Sequence, residues 1–113
     1  MDVIVKLASF GVLGMVILAM LATSGLAGAA AISTTLSTLG GPAGMAGGML
    51  VLASAPVIVN YLDNYGIDYA MKKLMREYKK KGYSKYELRH EISKLWITKG
   101  FKEKLYYYVD TLY

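Results

Sequence analysis

The chain has no cysteine among its 113 residues. That excludes a disulfide framework, a thiolate metal site and a cysteine nucleophile. Its single histidine, His90, lies between Arg89 and Glu91, on what reads as the polar side of a helix rather than as a catalytic base. Proline occurs twice, as Pro42 and Pro56, and all ten tyrosines fall at or after Tyr61. The largest absence is of charge. From Leu7 to Leu62, 56 consecutive residues, there is no Asp, Glu, Lys or Arg. No phosphate loop, paired-carboxylate spacing or metal motif is present. The hydroxyls of Ser33, Thr34, Thr35, Ser37 and Thr38 have no base near them in sequence. We therefore expect no enzyme, no cofactor, no bound metal and no small-molecule substrate.

A charge-free run of this length points to a membrane or to burial in an assembly, since one span needs about 20 mostly apolar residues. The chain reads as two regions: 1–62, a glycine-rich apolar helical hairpin embedded in a membrane, and 63–113, a basic amphipathic helical tail. The tail holds twelve Lys/Arg against seven Asp/Glu, which accounts for the whole net charge of +5. Lys6, the apolar run Leu7–Ala22 and then Ala27-Gly28-Ala29 also imitate a secretory signal, with its charged start, apolar core and small-residue cleavage site. Asp2 and the continuing hydrophobicity argue against that alternative.

Residues 3–22 are expected to form one helix about 30 Å long, matched to the bilayer core. Residues 23–39 are small and mildly polar, and either extend that helix or make a third short one. Gly40, Gly41 and Pro42 are expected to be the hairpin turn, because Gly suits a helix end and Pro the first turn of the next helix. Residues 43–62 would be the second apolar helix, bent at Pro56. Glycines at Gly25, Gly28, Gly40, Gly44, Gly47 and Gly48 clear grooves that permit close helix packing in lipid. They are the expected helix-packing and oligomerisation residues, serving contacts within the hairpin or between copies.

Beyond Leu62 the apolar positions repeat at helical spacing. Ile67, Met71, Leu74, Met75 and Tyr78 share one face. Ser84 with Glu87 forms a capping box, and Tyr83 with Leu88 a hydrophobic staple. Leu88, Ile92 and Leu95 face inward on that helix, and Phe101, Leu105, Tyr108, Val109 and Leu112 on another starting near Thr98. The expected fold is all-α: the hairpin, then two to three short amphipathic basic helices. Lys72, Lys73, Arg76, Lys79, Lys80 and Lys81 are expected to bind an anionic surface, either lipid headgroups or nucleic acid. Tyr61, Tyr65 and Tyr69 are expected to be interfacial aromatics. Basic residues flank the hairpin and its turn is uncharged, so both termini should lie on the cytoplasmic side.

The stretch Ser24–Ala55, with its small-residue helix, Leu39-Gly40-Gly41 break and glycine-alanine helix, resembles the glycine-rich helical-hairpin membrane proteins. These include small bacterial membrane-active peptides and the interferon-induced small membrane protein family. The resemblance implies a membrane hairpin and a membrane-active or pore-forming role, and it transfers no functional residue. The expected function is a small self-associating membrane protein that forms a pore or permeabilises a bilayer, of toxin or defence-effector type. The alternative is a coat or scaffold subunit, with its apolar hairpin packed on copies or lipid and its basic tail on nucleic acid or anionic lipid.

Overall fold

The computed structural model describes residues 2–113, without the side chains of residues 33, 35–47 and 50. The described residues are helical, with no strand: α1 (Val3–Ala8), α2 (Val12–Ser24), a 3-10 turn (Gly25–Gly28), α3 (Ala29–Tyr65), α4 (Ile67–Lys80), α5 (Lys85–Ser93) and α6 (Lys99–Leu112).

The helix expected over 3–22 is broken in two. Asp2 caps α1 by accepting from the Ile4 amide at 2.8 Å, and α1 stops at Ser9, whose amide and hydroxyl both return to the last turn. Gly11 then takes φ +63, a conformation that a side chain would strain. The break lets α1 fold against α2. A Cβ on Gly14 would stand 2.1 Å from the Leu7 carbonyl oxygen, so only glycine permits this approach.

A second break falls at Gly25, with φ +60. The 3-10 turn that follows leads into α3, which packs on α2. Gly25 and Gly28, expected as groove glycines, therefore sit in the connection between helices. Residues 23–39 neither extend the first helix nor form a separate one. They are divided between the end of α2, this turn and the start of α3.

Helical backbone runs from Ala29 to Tyr65, 37 residues, across the turn expected at Gly40-Gly41-Pro42. Glycine permits a break without requiring one, and two separate apolar helices are replaced by one bent helix. The bend follows from size. A straight helix of that length would measure about 55 Å at 1.5 Å per residue, whereas the greatest extent of the molecule is 31 Å. The sequence of α3 contains bend-forming residues in Gly40, Gly41, Pro42 and Pro56. The packing of Gly40, Gly44 and Gly47 lies outside the described residues, and Gly48 is buried.

The amphipathic helices form as their periodicity indicates. Ser84 accepts from the Glu87 amide at 3.0 Å and Glu87 accepts from the Ser84 amide at 3.3 Å, which completes the capping box. Thr98 caps α6 through the Phe101 amide. These helices are not a separate tail. Met71, Leu74, Met75, Tyr78, Leu88, Ile92, Leu105 and Val109 join Ile4, Leu7, Met15, Ile17, Leu18 and Leu21 in one buried core. A helix as apolar as α2 is before Thr23 has no polar face to offer solvent, and α1, α3, α4, α5 and α6 all pack on it. Eight of its thirteen residues are buried.

Tyr78 ties the two regions together. It is fully buried, and its hydroxyl donates to the Gly11 carbonyl at 2.6 Å. Burial pushes this hydroxyl far above its ordinary range, so it remains a neutral donor. Elsewhere on α4, Lys73 forms an ion pair with Asp2 that joins α1 to α4.

Candidate functional site

One stretch among the described residues, Val12–Ile32, is long and apolar enough to cross a membrane, and an 18-residue portion of it is 44% buried inside the molecule. The positive φ of Gly25 divides it between α2 and α3. An open apolar surface lies on α3. Gly48, Val51, Ala55 and Ile58 turn inward, while Met49, Leu52, Ala53, Pro56 and Val57 turn outward. Met49 is 70% exposed, and Leu52 and Val57 are each 57% exposed. With Ala53 and Pro56 between them, steps of three and four place these residues in one stripe, and no charged residue interrupts it until Asp63.

Val57, Tyr61 and Tyr65 then stand four residues apart, carrying the stripe into aromatic rings. The Tyr61 and Tyr65 centroids are 4.7 Å apart. Gly66, with φ +83, turns the chain from α3 into α4. This turn sets Tyr69 against Tyr65, nearly parallel at 5.2 Å. The structure therefore gathers all three expected interfacial tyrosines into one cluster, with Tyr65 and Tyr69 more than half exposed.

The basic residues divide. Lys72, Lys73 and Arg76 line a shallow cleft with Tyr69, and the Lys73 ammonium also lies 5.8 Å from the Tyr61 ring centre. Its ion pair with Asp2 raises the Lys73 pKa and lowers that of Asp2, each chiefly through their shared hydrogen bond. The remaining three lie further along the chain. Lys79 covers the Tyr113 ring at 4.8 Å. Lys80 pairs with Glu77 at 3.2 Å. Lys81 is exposed where α4 ends. One face thus presents apolar side chains, then tyrosines, then Lys72, Lys73 and Arg76. Acyl chains, the interface and anionic headgroups present the same order across half a bilayer.

Among the described residues no cluster of His, Asp or Glu could hold a metal ion. His90 stacks on Tyr86 with ring centres 5.9 Å apart. These two rings help to line a groove that was not expected from the sequence, and neither were the roles of Gly11 and Gly14. The groove had a usable signal: Tyr83, Tyr86, Glu87, His90, Glu91 and Lys94 recur at helical spacing opposite Leu88 and Ile92. The two glycines had none, because their roles depend on which segments meet. Comparison with protein-family models, curated proteins and solved structures gives no match.

Proposed function

We propose that this chain is a membrane-associating helical protein that acts on the bilayer itself, self-associating to permeabilise it. The observation that carries this reading is the outer face of α3, where an uncharged apolar stripe leads into a tyrosine cluster and then a basic patch. Docking would begin there, with Lys72, Lys73 and Arg76 at the headgroups and both termini on the same side. Deeper insertion would place α2 and α3 in the bilayer as the hairpin, after α4, α5 and α6 release α2. Copies would meet along the small-residue stretch of α3.

The test is dye release from anionic vesicles alongside flotation of the bound protein. Leu52→Asp with Val57→Asp should abolish both while leaving the helical spectrum unchanged. Wild-type protein that floats with vesicles and oligomerises there, yet releases neither dye nor ions, would overturn the permeabilising role.

A specific observation favours a second reading, the coat or scaffold subunit: the chain's own helices already seal α2, which suits a folded building block. Electron microscopy distinguishes the two, with closed rings of few copies for a pore and an extended lattice or filament for a coat.

A further inference from the structure

A concavity among the described residues lies away from the α3 face. It is a groove of about 600 Å³ between the α1–α2 junction and α5, within the range of about 300–1,000 Å³ typical of small-ligand sites. Its walls are aromatic. Phe10 comes from the α1–α2 turn, Tyr86 from α5, and Trp96 from the link between α5 and α6. Trp96 is 87% exposed and Tyr86 75% exposed, so neither ring is used to fill the core. The rim carries Glu87, Glu91 and Lys94. Two carboxylates against one ammonium make this rim acidic on a chain of net charge +5. Glu87 is held in place by its bond to the Ser84 amide. Glu91 forms a loose, exposed ion pair with Lys94 at 3.8 Å, so the net negative charge of the rim is that of one carboxylate.

We propose that this groove binds an organic ammonium cation, with a quaternary ammonium such as a choline group as the best fit. Ring faces attract such a cation through their quadrupoles, and Trp is the strongest of them. A quaternary ammonium is bulky and weakly hydrated, so it enters an aromatic groove with little loss of hydration, and Glu87 and Glu91 supply the compensating charge. A metal ion would need more oxygen ligands than two carboxylates provide. The site does not depend on the membrane reading, because the cation can be a free metabolite or a zwitterionic lipid headgroup.

Trp96 is the only tryptophan, so its emission reports on the groove directly. Titration of the full chain with tetramethylammonium chloride should give a saturable change in that emission, absent with sodium chloride at equal concentration. The neutral isostere 3,3-dimethylbutanol should bind more weakly. Tyr86→Ala and Glu91→Gln lie at exposed positions that leave the core intact, and each should weaken binding by about two- to fivefold. Phosphatidylcholine vesicles then locate the source. Competition by free choline for a vesicle-induced change assigns a lipid headgroup, whereas binding of free choline without any response to vesicles assigns a soluble ligand. The proposal fails on any of three results: no saturable response to tetramethylammonium, equal binding of the neutral isostere, or unchanged binding in both variants. A response to phosphatidylglycerol vesicles without one to tetramethylammonium would also overturn it, making Trp96 a plain interfacial anchor.

Discussion

α2 and the outer face of α3 are made of the same kinds of residue and meet opposite surroundings. Ile17 and Leu18 in α2 are fully buried, while Leu52 and Val57 in α3 are more than half exposed. Hydrophobicity alone does not separate them. The difference is whether an amphipathic helix is available to cover them. α4 offers Met71, Leu74 and Met75 to the core around α1 and α2, and no helix of the described chain lies over Met49, Leu52 and Val57. That uncovered stripe is what the proposed docking on a bilayer rests on.

Leucine truncation in each region should break the symmetry most clearly. Leu18→Ala should cost about 3 kcal/mol, as for buried leucines elsewhere. Leu52→Ala should change stability by no more than about 0.5 kcal/mol, as for surface positions. Urea unfolding followed by circular dichroism measures both. Equal losses would mean that the α3 face is covered in solution.

Gly14→Ala comes next, at about 2 kcal/mol, because the new methyl meets backbone that cannot swing aside. The same unfolding curves read it, and an unchanged midpoint would show that α1 does not pack as described. Tyr78→Phe should cost about 1–2 kcal/mol by leaving the Gly11 carbonyl without its buried donor. A neutral result would remove this link between the apolar and basic regions.

The smallest effect concerns Asp2→Asn, which keeps an N-cap acceptor but removes the charge facing Lys73. At neutral pH it should cost less than about 1 kcal/mol, since the pair is partly exposed. Its pH dependence is more informative. The folded pKa of Asp2 lies below the ordinary 3.8, so the stabilisation is fully present above that value and is lost as pH falls through the folded one. Acidification should therefore cost the wild type an increment that Asp2→Asn lacks, read as a difference in urea midpoint between neutral and strongly acidic pH. Parallel pH curves for the two proteins would rule out a contribution from the pair.

The amphipathic half was largely legible beforehand. Ser84 and Glu87 form the expected box, and Met71, Leu74, Met75, Tyr78, Leu88, Ile92, Leu105 and Val109 face inward as their spacing indicates. Such patterns are local, and capping and periodicity act within a few residues of one another. The apolar half was less legible. Nothing in a uniformly apolar run says which glycine will break it. Gly11 and Gly25 take positive φ, whereas helical backbone continues through Gly40 and Gly41. Of the candidate surface, the tyrosines and Lys72, Lys73 and Arg76 could be named from sequence, but their assembly depends on the turn at Gly66. The split of the basic cluster was invisible, because it depends on Tyr113 and Glu77 reaching Lys79 and Lys80.

The sequence by itself determined that this chain is helical, that its charge lies outside residues 7–62, and that its last fifty residues form amphipathic helices with one inward face each. Local hydrogen bonding, side-chain spacing and charge distribution are properties of short segments, so they can be read directly. Only the tertiary structure decided that α2 lies at the centre of a shared core, that α3 keeps an apolar stripe outside it, and that Phe10, Tyr86 and Trp96 line one groove. Burial depends on which surfaces a folded chain brings together across long separations, and no local pattern carries that information.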